Sequence, residues 1–177
     1  MTSAPDTMPA RPESPAHASI IVGVVPDQPA EVLSTAAVYA KRFGAELLCA
    51  HVDESRYTVS AGSDGTAVSM PIDPDTTAEA SAEFDPELRT RIASALESSD
   101  VEWSVRALAG APARELTDLA EALDAQMIVV GVRRAGIRGS LHEFFNGSVA
   151  IQLARQQHRP LVVVPLRAES PEIGDGK

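Results

Sequence analysis

The chain has 177 residues, 44% of them apolar and only 4% aromatic, which is enough for one sizeable core built mainly from Ala, Val, Leu and Ile. Its 15 Lys and Arg stand against 25 Asp and Glu, and the resulting charge of −10 argues against nucleic acid or an anionic membrane as a partner. The one cysteine, Cys49, cannot form an internal disulfide and has no metal-ligand spacing around it.

Residues 1–18 hold four prolines and lack the apolar stretch of a signal peptide, so they read as a disordered tail. No apolar run approaches the ~20 residues of a membrane helix, and the expected location is cytoplasmic by default. Residues 19–25, Ser-Ile-Ile-Val-Gly-Val-Val, form a near-continuous apolar run of the kind found in a strand buried on both faces. Pro26-Asp27-Gln28-Pro29 breaks it. Helical spacing of Val32, Leu33, Ala36, Ala37, Ala40 and Phe43 predicts a helix over 30–43, with Gly44 as its stop. A second strand covers 47–52.

Residues 53–84 are long for a connection in a compact domain, and a loop of that length is either functional or mobile. Within them, Tyr57-Thr-Val-Ser and Thr66-Ala-Val-Ser flank Ser63-Asp64-Gly65, which suggests a small hairpin. Asp85-Pro86 opens a helix to about 98. A strand over 101–109, a helix over 112–123 and a short strand over 127–130 ending at Gly131 follow. An irregular stretch leads to Asn146-Gly147-Ser148, which begins a helix to about 158. Pro160 ends it, and 161–164 is the last strand. Residues 168–177 read as a frayed tail.

Strands alternating with helices predict one α/β domain over 19–167 with right-handed crossovers and a mostly parallel sheet. Ligands of such sheets bind beyond the carboxyl ends of the strands, near the switch in strand order. That points to the loops after Val25, Val52 and Val130.

The segment 131–148 carries the chemistry. It leaves a buried strand at Gly131 and enters a helix at Gly147-Ser148. Glycine lets a ligand come close to the backbone. The free N–H groups of the following helix start suit an anion, and the dipole adds ~0.3–1 kcal/mol. Ser148 can cap the helix or turn its hydroxyl to a phosphate. Arg133, Arg134 and Arg138 precede the first acid, Glu143, and form the local positive exception that an anionic ligand needs here. Gly139-Ser140 is set aside as the helix start, because the helical pattern begins after Ser148.

This pattern resembles the universal stress protein family, whose ATP-binding members carry a glycine, two residues, a second glycine, nine residues, then Gly-Ser or Gly-Thr. The resemblance runs through Ile20-Ile-Val, Leu48-Cys-Ala-His-Val52, Ala109-Gly-Ala-Pro112 and Leu161-Val-Val-Val-Pro165, nearly the whole domain. It implies a three-layer α/β fold, with a five-stranded parallel sheet of order 3-2-1-4-5 and helices on both faces. It also implies a homodimer paired through the last strand, 161–164, which agrees with the need to cover an apolar edge.

By the same resemblance the ligand is ATP or a related adenine nucleotide, with Mg left open. Gly131, Gly147, Ser148 and Val149 match the family's phosphate-side positions, and Val130 and Val52 match positions bordering the nucleotide. Two departures stand out. The family's second glycine is expected where this chain has Arg134, the nearest glycine is Gly136, and the loop is three residues longer than the pattern. ATP-binding relatives have an aspartate where this chain has Val25-Pro26, and Asp27 comes two residues later. The longer loop costs only ~0.2 kcal/mol of closure entropy. A lost carboxylate contact costs ~1–3 kcal/mol, about ten- to hundredfold in affinity, which Asp27 or an arginine could offset in part. The candidate site is therefore Val25, Pro26, Asp27, Val52, Val130, Gly131, Arg133, Arg134, Gly136, Gly147, Ser148 and Val149.

Other residues have plainer readings. Phe144 and Phe145 anchor the loop, Asp27 is a turn residue rather than a metal ligand, and His51, Cys49, Tyr57 and Trp103 are packing residues. His142 lies in the key loop and is worth testing. No catalytic set, nucleophile elbow or Walker lysine motif is found. Three functions compete. The first is a stress-associated regulatory protein binding a nucleotide or other phosphorylated small molecule. The second is a homodimeric interaction module that does not bind ATP. The third and weakest is slow ATP hydrolysis by the loop arginines, for which no general base is apparent.

Overall fold

The structure is a computed structural model that describes residues 18–61, 67–71, 80–81, 84–133 and 149–166. The two predicted tails, apart from Ala18, lie outside the described residues, as do the turn Ser63-Asp64-Gly65 and the stretch 134–148.

In chain order the elements are β1 (Ser19–Gly23), α1 (Ala30–Phe43), β2 (Glu46–Asp53), β3 (Arg56–Ala61), β4 (Ala67–Pro71), β5 (Ala80–Ser81), α2 (Pro86–Leu96), β6 (Trp103–Ala109), α3 (Pro112–Ala122), β7 (Met127–Arg133), α4 (Val149–Gln156) and β8 (Leu161–Leu166). Five strands form the main sheet in the order β6-β2-β1-β7-β8, every pairing parallel. This is the 3-2-1-4-5 order expected. A separate antiparallel sheet, β3-β4-β5, occupies the long connection. It contains the expected hairpin and adds a third short strand.

Alternation along the strands assigns the two layers. Ile20, Val22, Leu47, Cys49 and Val129 face α1 and α2, whose Val32, Ala36, Ala40, Leu88 and Ile92 complete that core. Ile21, Leu48, Ala50, Ile128 and Val130 face the other way, toward Ala113, Leu116 and Ala120 of α3 and Leu153 of α4. Small residues in α1 let the helix lie close on the sheet, which is how so few aromatics fill the core.

The ends of the elements follow local chemistry. Gly44 closes α1 in the left-handed region at φ 59°, and its N–H reaches back to the last helical carbonyls. The Asp85 side chain caps α2 by accepting from the Glu87 N–H at 2.8 Å. Between α3 and β7, Arg159 is drawn in to donate to the Ala125 carbonyl at 2.9 Å and to Asp124 at 3.2 Å.

Among the boundaries that differ from expectation, which include β6 starting at Trp103 and α2 ending at Leu96, three follow from identifiable contacts. β1 stops at Gly23 rather than Val25, because the Val25 N–H is taken by the Gln28 side chain and the chain turns there. β7 runs past Gly131 to Arg133, and β8 runs past Val164 to Leu166, because the two strands continue one ladder through Gly131–Val164, Val132–Pro165 and Arg133–Leu166. Pro165 is tolerated there because β8 is an edge strand.

Candidate functional site

The strand order reverses at β1: β2 lies on one side and β7 on the other. Chains leaving the carboxyl ends of β1 and β7 diverge to opposite faces, and a crevice opens between them. Its cavity is about 340 Å³, within the range of small-molecule sites. The walls come from every nearby element. Gly23, Val24, Val25 and Gln28 belong to the end of β1 and its turn, Ala50, Val52 and Glu54 to the end of β2, and Pro112 and Leu116 to α3. Val130 and Gly131 of β7, Val149 of α4 and Leu166 of β8 close it.

Apolar side chains dominate, as suits one flat face of a ring. Gly131 is essential to the shape. A Cβ there would stand 2.9 Å from Val32 Cγ2 and 3.1 Å from Leu166 Cδ1, closer than packed carbons approach. Gly110, which begins the turn into α3, has φ 133° and would bring a Cβ to 2.8 Å from Glu115 Oε1.

Polar groups line the crevice sparsely. Gln28 Oε1 accepts from the Val25 N–H at 3.0 Å, while Gln28 Nε2 is buried with no hydrogen-bond partner among the described residues. Near the crevice, His51 Nδ1 lies 3.0 Å from the Val24 carbonyl, an acceptor, so that nitrogen carries the proton. The Ser55 hydroxyl is the main cause holding the Asp53 carboxyl below its usual range, with the Ser55 N–H adding to it and burial opposing. Burial is the main cause lifting the Glu115 carboxyl above its usual range, reinforced by Asp118 and opposed by Arg114.

The candidate residues separate cleanly. Val25, Val52, Val130, Gly131 and Val149 line the crevice. Pro26 and Asp27 stand outside it, on a turn held by α2: Arg91 donates to the Pro26 carbonyl and lies 3.7 Å from an Asp27 carboxylate oxygen that is largely exposed. Arg133 ends β7, its backbone in register with Leu166. Arg134, Gly136, Gly147 and Ser148 lie outside the described residues, with Arg138, His142, Phe144 and Phe145. Among the packing residues, Cys49 is fully buried, His51 meets the Phe84 ring edge-on, and Trp103 is half-buried under Arg89. Among the described residues, no three His, Cys, Asp or Glu side chains gather as a metal site would need, and no helix is long and apolar enough to cross a membrane.

Sequence reasoning missed Gln28 and Glu54. Gln28 left one signal, a polar residue between two prolines directly after the first strand. Glu54 left none, since its place depends on where β2 ends beside α3.

Together these features define a doubly wound α/β protein with a ligand-sized crevice at its topological switch point. The universal stress protein family model matches residues 18–165, and the chain belongs to that family. Solved structures agree on the fold. A universal stress protein from Archaeoglobus fulgidus is 21% identical, with a TM-score of 0.56 over 84% of this chain and 93% of that one. A universal stress protein in complex with cAMP is 20% identical, with a TM-score of 0.56 over 84% and 97%. The Archaeoglobus fulgidus protein in complex with dAMP is 22% identical, with a TM-score of 0.54 over 84% and 98%. No curated protein matches the sequence significantly.

Proposed function

We propose that this protein binds an adenine nucleotide, or another small phosphorylated molecule, in the crevice between the ends of β1 and β7, and that it acts as a non-enzymatic regulatory module in stress adaptation. The crevice carries the reading: about 340 Å³, apolar walls and a glycine where the backbone must come close. Relatives of the same fold solved with cAMP and dAMP support the ligand class. The phosphates would extend toward the segment after Gly131, whose Arg133, Arg134 and Arg138 are the cations this chain of charge −10 supplies at that point of the sequence. Glycine at 147 and serine at 148 would add backbone and hydroxyl donors. Dimerisation through β8 and a cytoplasmic location complete the proposal.

A second reading, an interaction module without a nucleotide, draws on the position of Asp27, whose carboxylate stands beside Arg91 outside the crevice. Calorimetry with ATP, ADP, AMP and cAMP separates the two. Micromolar to millimolar binding of any of them supports the first reading. Absence of heat and of thermal shift with all four at millimolar concentration selects the second.

A further inference from the structure

The two ends of the crevice differ in charge. At the β7 end stands Gly131, two residues before Arg133, the first of the cations that follow it in the sequence. At the β2 end the walls are Ala50 and Val52 of β2 with Pro112 and Leu116 of α3, all apolar, and Glu54 lies just past the strand. Among the described residues that line the crevice, Glu54 is the one with a charge. Its neighbour Asp53 is committed, accepting from the Ser55 N–H at 2.9 Å and from the Ser55 hydroxyl at 2.6 Å. Glu54 has no such partner among the described residues.

A carboxylate on the wall of a site for an anion makes sense in one orientation of the ligand. It accepts hydrogen bonds, cannot donate them, and repels phosphate. A phosphorylated ligand therefore lies with its anion at the β7 end and its far end against Glu54. β2 and β7 flank β1 in the sheet, so those ends stand two strand spacings apart, roughly 10 Å. The covalent order of a nucleoside 5′-phosphate is phosphate, ribose, base. Laid along that span, it puts the ribose over β1 and the base between β2 and α3. The apolar walls there suit the faces of a flat ring, and the edge of the ring meets the carboxylate.

We propose that Glu54 accepts a hydrogen bond from an amino group on the base, and that this contact makes the site prefer a 6-aminopurine nucleotide over one with no donor at that edge. This rests on the nucleotide reading above and names the group that discriminates within it. Glu54 is an exposed residue, so water competes for its oxygens. The gain is that of one charge-assisted hydrogen bond reduced by this competition, about tenfold in affinity.

The test is calorimetric binding of AMP, dAMP and purine riboside 5′-monophosphate to the wild type and to Glu54→Ala. The last ligand is AMP with hydrogen in place of the 6-amino group, so charge and sugar are unchanged. The wild type should prefer AMP to it by about tenfold. Glu54→Ala should bring the two within roughly twofold of each other, by losing affinity for AMP and not for the other. Glu54 is exposed and belongs to neither core cluster, so the variant should unfold in urea as the wild type does. A wild type that binds the two alike, or a Glu54→Ala that keeps the preference, overturns the role of Glu54 and leaves the nucleotide reading standing. So does a Glu54→Ala that tightens both equally, which is repulsion without recognition. A wild-type preference for AMP over dAMP that disappears in Glu54→Ala assigns the carboxylate to the ribose and also overturns the proposal. Failure of the wild type to bind any of the three, or ATP or cAMP, overturns both readings. If the variant does not fold, the wild-type preference alone decides.

Discussion

At Gly131 a single hydrogen sets the depth of the crevice. Alanine there would push its methyl to 2.9 Å from Val32 Cγ2 and 3.1 Å from Leu166 Cδ1, against a β-branched side chain and a leucine that both pack in the α1 core. Neither is the free end of a long side chain, so the strand or the helix must shift, at a cost of about 1–3 kcal/mol. Gly131→Ala should therefore lower the urea midpoint with an unchanged slope, and weaken ligand binding as the crevice narrows. A midpoint equal to the wild type's would show that the wall yields freely.

Cys49 reports on the core from β2, on the far side of β1 from Gly131. It is fully buried in β2, and burial pushes its thiol up to about 12 from an ordinary value of 9.0. Above pH 9 the unfolded chain gives up this proton while the native chain keeps it. The native state then binds more protons than the unfolded one, and stability falls as pH rises, by up to ~1.4 kcal/mol per unit, until the native thiol itself ionises. Cys49→Ala should be less stable at neutral pH for lack of a buried sulfur, yet lose less stability than the wild type between pH 9 and pH 11. Urea titrations of both proteins across that range check this, and parallel pH profiles would refute it.

Among the elements, α1 shows how a local stop is made. Gly44 has φ 59° with nothing within 4 Å of the Cβ it lacks, so a substitution there meets backbone strain and no clash. Gly44→Ala should cost about 1 kcal/mol and Gly44→Asn less, because asparagine tolerates the left-handed region better. Thermal unfolding of the pair should rank them wild type, Asn, Ala, and equal melting temperatures would contradict the strain argument.

The same helix shows why so much of the fold was legible. Its core face, its glycine stop and the apolar runs of β1, β2 and β7 are local patterns, each within one stretch of chain. Periodicity and turn residues therefore sufficed for the layers, and family resemblance for the strand order. What escaped was set across the fold. The end of β1 depends on a side chain three residues on capturing a backbone N–H. The length of β7 depends on β8 continuing beside it, since Pro165 reads as a stop in isolation and is acceptable only on an edge. Val25, Val52 and Val130 were placed at the crevice because they end apolar runs. Pro26 and Asp27 enter the candidate set through the family's aspartate, which falls at Val25-Pro26 with Asp27 two residues on, and that correspondence carries no sign of Arg91 holding their turn from α2.

For the whole molecule, the strongest structural demand lies at β8. Among the described residues it pairs on one side only, with β7, and it presents Val163 at 44% exposure on a strand of Leu-Val-Val-Val-Pro-Leu. Such an edge invites pairing with a second strand. A symmetric partner is the economical answer, because one patch then covers its own copy. Two copies of charge −10 repel, so apolar contact and backbone pairing must outweigh a Coulomb term that salt screens. The expected outcome is a dimer in sedimentation velocity that tightens as salt is raised, opposite to an assembly held by ion pairs. Val163→Lys sets a charge at the centre of that contact and should yield monomers with an unchanged circular dichroism spectrum, since the side chain faces solvent within one copy. A wild type that sediments as a monomer at all salt concentrations, or a Val163→Lys variant that stays dimeric, would place the interface elsewhere than β8.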